Sequence, residues 1–134
     1  MSFNESRWKQ RFQNFEKAFS FLQDIVAKKE YTAIEISGLT NAFEFTFELG
    51  WKTIKDFLFE QGIELSFPRE IIKEAFKTGI IADGHIWMEM LEKRNELSHT
   101  YNEDVAKNAV EAINNKYFSA IQQVYYYFKD KFNG

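Results

Sequence analysis

Trp8, Phe12, Phe15, Phe19, Leu22 and Val26 follow one another at intervals of 4, 3, 4, 3 and 4. Side chains so spaced fall on one side of an α-helix but on alternating sides of a strand. This stretch can therefore bury its large groups together only as a helix. The pattern predicts a helix from about Asn4 to Lys28, with Ser2 and Glu5 at the spacing of a capping box. The rest of the chain agrees. One proline and six glycines in 134 residues leave too little turn punctuation for a sandwich or barrel.

A second helix is predicted from about Ala33 to Glu60, opened by Thr32 and Glu35 at capping-box spacing and stopped near Gly62. It carries two apolar sets. Ile36, Leu39, Phe43, Phe47, Ile54 and Phe57 form one, and Phe45, Leu49, Trp51, Leu58 and Phe59 the other. One packed face cannot use both, so this helix is either central or shared with a second copy of the chain. Gly50 lets a neighbour approach it closely, at about 1 kcal/mol relative to alanine. Pro68 opens a short third helix to about Thr78, closed by Gly79. Asp83 is a good cap for a fourth, running through Trp87, Met90, Leu91 and Leu97. The last runs from near Asn102 to about Phe132, with Val105, Ala109, Ala112, Ile113, Ile121, Val124 and Phe128 inward. The expected architecture is one all-α domain over residues 1–134, a bundle of three long and two shorter helices. Fifteen phenylalanines require a dense core or a further apolar surface buried between subunits.

Cysteine is absent, which removes thiolate chemistry and fits a reducing compartment. No secretory leader and no apolar run of membrane length is visible, so a cytoplasmic protein without a membrane partner is expected. The net charge of −3 argues mildly against strong non-specific nucleic-acid binding. Glycine-rich phosphate loops and paired-aspartate nucleotidyltransferase motifs are missing, so nucleotide transfer is not this chain's own chemistry, and no cofactor is expected. Asp83, His85 and Glu89 are too few, at the wrong spacing, for a metal cage. At least two of Tyr125, Tyr126, Tyr127 and Phe128 must face the core, Trp8 and Trp87 are read as core, and Lys129, Asp130 and Lys131 as solvated surface.

Titratable groups converge at the end of the fourth helix, in Arg94-Asn95-Glu96-Leu97-Ser98-His99-Thr100-Tyr101. Arg94 and His99 stand about 140° apart on a straight helix, whereas Asn95 and His99 stack on one face. For Arg94 and His99 to serve one substrate, the helix must end near Ser98 or two chains must combine. Ser98, Thr100 and Asn102 make a break reasonable. His99 can transfer a proton near neutral pH, Arg94 can fork two donors onto a phosphate, and Asn95 can orient either the imidazole or the phosphate. These parts suit RNA transesterification by the 2′-hydroxyl, without a metal. On spacing alone the default is plainer: Arg94 in a surface ion pair and His99 at a helix end. Likewise Glu44, Glu48, Lys52 and Lys55 read first as an ion-pair face, and secondly as a polar wall of the same cleft, together with Trp51.

Arg94-Asn95-x-x-x-His99-x-Tyr101 resembles the Arg-x4-6-His signature of the HEPN superfamily, in the subgroup with a following x-Tyr. The run from Phe43 to Asp56, and Trp87-Met88-Glu89-Met90-Leu91, resemble the bacterial nucleotidyltransferase substrate-binding proteins. The resemblance spans Phe12 to Tyr127. It implies an antiparallel helical bundle, a homodimer with two Arg-His motifs across its twofold cleft, and a minimal nucleotidyltransferase partner encoded nearby. It also implies a metal-independent ribonuclease in which Arg94 and His99 are catalytic and Asn95 fills the polar position after the arginine. The partner would neutralise that toxin, by adding AMP to Tyr101 if the chain follows those members of the family. In a second implied role the chain is a substrate-binding subunit without catalysis of its own.

Overall fold

Ser6 accepts a hydrogen bond from the Lys9 backbone N–H and opens α1 (Arg7–Ile25) in the computed structural model, which describes residues 6–134. The Ser2–Glu5 box lies outside the described residues. Every regular element among them is helical: α2 (Ala33–Glu60), α3 (Pro68–Lys77), α4 (Gly84–His99), α5 (Glu103–Ala112), a π-helical turn (Ile113–Tyr117) and α6 (Phe118–Asn133). The last three run on without a break, so the described residues make five rods. No helix among the described residues is long and apolar enough to cross a membrane.

The stripe of α1 is buried from Trp8 to Leu22, but the helix stops three residues short of the predicted Lys28. Ala27 adopts a left-handed φ of 64° and donates its N–H to Asn114 Oδ1 at 2.8 Å. The Tyr31 hydroxyl donates to the Ile25 carbonyl at 2.9 Å and accepts from the Lys28 N–H. A tertiary partner thus ends a helix whose own sequence would let it continue.

The Thr32–Glu35 capping box closes as expected, with both reciprocal hydrogen bonds present. Of the two readings for α2, the central one holds within a single chain. The helix packs against α1, α3, α5 and α6, and both apolar sets are largely buried. Its buried Thr46 and Thr53 return their hydroxyls to the carbonyls one turn back, and buried Asp56 pairs with Arg11 at 3.0 Å. Phe45 and Phe59 of the second set stay exposed, at 61% and 53%. At Gly50 the close neighbours are side chains: an added Cβ would lie 3.2 Å from the Trp87 ring and 3.3 Å from Phe15.

Pro68 stands at the first position of α3, Gly79 closes it with a φ of 87°, and Asp83 caps α4 by accepting from the Ile86 N–H. The π-turn departs from the single long helix predicted here. An α-helix covers two turns in 7.2 residues. The apolar positions Ile113, Tyr117 and Ile121 come at intervals of four, so one wide turn keeps all three buried. The core divides into two aromatic groups. Trp8, Phe12, Phe15 and Phe19 meet Tyr125 and Phe128, while Phe43 and Phe47 meet Tyr117 and Trp87. Trp8, Trp87 and Phe128 are thereby core as read, and Tyr126 alone of its run is exposed. Asp130 and Lys131 are exposed as expected, whereas Lys129 is less solvated and pairs with Glu16 at 2.7 Å.

Candidate functional site

The end of α4 carries the predicted site, and capping chemistry decides its shape. The helix runs to His99, Thr100 is extended, and Asn102 opens α5 by accepting from the Val105 N–H at 3.0 Å. Ser98 returns its hydroxyl to the Arg94 carbonyl. Arg94 and His99 thus stay on one regular helix, facing different directions as a five-residue step requires.

Arg94 turns toward α2. Its Nη1 lies 3.0 Å from Glu48 Oε1, and its side chain is 25% exposed. Its Nε is buried and has no hydrogen-bond partner. Glu48 is a hub. It also accepts the Trp51 indole N–H at 3.2 Å and stands 3.5 Å from Lys52 Nζ. Glu44, one turn back, is half-buried. Burial pushes its carboxyl above the usual carboxylate range, and the charge of Arg94 only partly opposes this. The structure therefore brings Arg94, Glu44, Glu48, Trp51 and Lys52 into one polar cluster where α4 meets α2. The ion pair expected as the plain reading is present in it. Both partners are only about a quarter exposed, so the pair is partly shielded from solvent.

Asn95 and His99 are exposed on the adjoining face, without a hydrogen-bond or ion-pair partner among the described residues. Within one chain they are not joined to Arg94. Tyr101 folds back onto α2. The Thr40 hydroxyl reaches the Ser37 carbonyl at 3.1 Å and the Tyr101 hydroxyl at 3.3 Å. With its single proton directed to Ser37, Thr40 accepts from Tyr101. The Tyr101 ring remains 54% exposed while its hydroxyl is held.

Sequence reasoning passed over Thr40. It is a buried hydroxyl one turn after Ile36 in an apolar run, and that misfit was its available signal. Asp83 is occupied as a helix cap, and Glu89 by Tyr117 and Lys116, so with His85 they form no ligand cluster. No group of three such residues is placed for a metal among the described residues.

Known proteins share both this sequence and this fold. Over 76 residues the chain is 33% identical to the "Probable ribonuclease HepT" of Haemophilus influenzae, a match covering 53% of this chain and 52% of that protein. The chain thus spans about half the length of the curated relative it matches. A crystal structure of a protein from Thermus thermophilus superposes with a TM-score of 0.78 at 26% identity, over 90% of this chain and 99% of that one. Residues 10–130 match the family described as "Nucleotidyltransferase substrate binding protein like". With nearly its whole length matched, this chain belongs to the nucleotidyltransferase substrate-binding-protein-like family.

Proposed function

We propose that this chain is a HEPN-type, metal-independent endoribonuclease that acts as a homodimer and is neutralised by a minimal nucleotidyltransferase. The observation that carries the reading is the pairing on one helix end of two kinds of group. A guanidinium turned toward α2 has a buried donor unused, and an imidazole stands free five residues on. The relative named as a ribonuclease supports it.

In this reading the RNA 2′-hydroxyl attacks the adjacent phosphorus. One His99 imidazole takes its proton, and a protonated His99 of the second copy returns one to the departing 5′-oxygen. The products are a 2′,3′-cyclic phosphate and a 5′-hydroxyl end. Arg94 leaves Glu48 and places its donors on the phosphorane oxygens, where charge accumulates. Asn95 orients the phosphate. Because Arg94 and His99 diverge around α4, two copies of the helix are needed to surround one phosphate. Tyr101 is the residue the partner modifies, after its hydroxyl leaves Thr40.

The test is cleavage of single-stranded RNA by the purified protein in EDTA. His99→Ala should abolish cleavage while the dimer persists in sedimentation. Cleavage that survives the substitution rejects the assignment. For Tyr101, incubation with the partner and ATP should add AMP units to the intact mass, and Tyr101→Phe should prevent it.

A second reading has its own support. Glu48 neutralises Arg94 and Glu44 crowds it, an arrangement poorly suited to a polyanion. On this view the chain is a non-catalytic substrate-binding subunit of a two-protein nucleotidyltransferase. Titration calorimetry with the partner and nucleotides, in the absence of any RNA cleavage, would favour it.

A further inference from the structure

Beside Tyr101 lies a recess of about 470 Å³ between the first turns of α2 and α5. Its walls include Tyr31, Tyr101 and the apolar Ala33, Ile36 and Ala106, with Lys107 at the rim. Both tyrosine rings are held in place by their hydroxyls. Tyr31 is tied to the Ile25 carbonyl, Asn114 and the Lys28 N–H, and Tyr101 to Thr40. The recess is thus lined by two tethered tyrosine rings, aliphatic side chains, the Lys107 cation and the Glu103 carboxylate. Lys107 pairs with Glu103 at 2.8 Å, but both side chains are more than half exposed, so the lysine exchanges partners easily. The volume suits a nucleotide, not an extended peptide. A base has an apolar π-face for the walls, and its phosphate meets Lys107. Tyr101 is also two residues from His99, so the recess adjoins the end of α4.

We infer that this recess is a nucleobase subsite. It holds the base of an RNA residue next to the phosphate at His99, and the same chemistry is offered by a nucleotide placed on Tyr101. The subsite rests on the functional reading above for its occupant, and on the walls just described for its chemistry.

The experiment plugs the recess from its rim. Ala33 is exposed at the start of α2, and Ala33→Trp adds an indole to the recess without touching the core. Ile34→Trp is the control: it adds the same ring one residue on, at a position 84% exposed and outside the recess. Both are made in the His99→Ala protein, with circular dichroism and Tm recording the fold. The probes are a 2′-O-methyl tetranucleotide, which cannot be cleaved by the 2′-hydroxyl route, and free AMP, each titrated by NMR chemical shifts.

Ala33→Trp should weaken both probes about tenfold or more, the order of one lost base–aromatic stack, and Ile34→Trp should not. Binding of AMP alone, lost in Ala33→Trp, still supports a nucleobase site and assigns it to the nucleotide delivered to Tyr101. Absence of binding by either probe, or equal binding by the two variants, overturns the subsite. RNA cleavage by the wild-type protein in EDTA, measured beside these titrations, separates the two ideas. Cleavage with Ala33→Trp binding unchanged rejects the recess alone, and recess-dependent binding without cleavage rejects the ribonuclease alone.

Discussion

Two carboxylates tie helices together in this protein, and they are surrounded differently. Glu16 of α1 receives the Tyr125 hydroxyl at 2.6 Å and Lys129 at 2.7 Å, over a floor of stacked rings. Glu48 of α2 receives Arg94, Trp51 and Lys52 where Arg94 keeps a buried, unspent Nε and Glu44 is desolvated. Polar groups on the α1–α6 side are matched to one another, as stability demands. Those on the α2–α4 side are left in excess, and that surplus is what supports the proposed site. Similar polar clusters can therefore mean opposite things, depending on what is left over after their contacts are made.

The largest expected effect comes from removing the cation at each place. Arg94→Ala should lower RNA cleavage by about 10²–10³-fold, the scale of a lost transition-state donor, with little change in Tm. Lys129→Ala should lower Tm slightly and leave cleavage within about twofold, because its pair with Glu16 is a half-exposed structural contact. Single-turnover rates on one labelled RNA, with thermal unfolding in parallel, would check both. Equal losses of rate would erase the distinction between the two sides.

The next contrast is apolar. Phe12 is fully buried and touches Trp8, Phe15, Tyr125, Phe128 and Phe132, so Phe12→Ala should cost about 4 kcal/mol in urea unfolding. Phe45 lies one turn from Glu48 on the outer face of α2 and is 61% exposed. Phe45→Ala should leave the stability of the single chain almost unchanged. Its effect should emerge in sedimentation as weaker self-association, since an exposed ring beside the Glu48–Arg94 cluster is where a second copy would pack. A large loss of stability with no change in association would refute that role.

How much of this was legible follows the same division. The aromatic side was written in spacing. The 4-3-4-3 pattern named every buried residue of α1 from Trp8 to Leu22 apart from Ala18, and the caps Thr32 and Asp83 were found because each is a local signal. The site residues were legible as types, and Glu48 could be placed beside Arg94 only as one wall among alternatives. The π-turn, the early stop at Ile25 and the Tyr101–Thr40 contact were not legible. The last two depend on partners far away in sequence: Asn114 reaches Ala27 across 87 residues, and Tyr101 reaches Thr40 across 61. A periodic pattern reports which face is buried. It does not report which loop atom a distant amide will find.

The smallest and most diagnostic effect is the response to acid. Glu16 is held below its ordinary 4.5, chiefly by the Lys129 hydrogen bond and then by Tyr125. A depressed carboxyl stabilises the fold fully above the unfolded pKa, and that contribution is lost as pH falls through the folded value. Tyr125 moves the other way, up from 10.0 to about 12, first through burial and then through Glu16, so its share persists below 10 and fades as pH rises beyond it. Glu44 has the opposite sign to Glu16. Its raised carboxyl favours the fold only while protonated, below about the ordinary 4.5, and that advantage is gone once pH passes the folded value. Glu16→Gln should therefore lower Tm at pH 7 and flatten the acid limb. Glu44→Gln should raise Tm slightly at pH 7, with the gain vanishing toward pH 4. Thermal unfolding by circular dichroism between about pH 3 and 8 reads both. If Glu44→Gln instead loses stability at pH 7, the α2–α4 side is as well satisfied as the aromatic side, and its polar surplus no longer argues for a ligand.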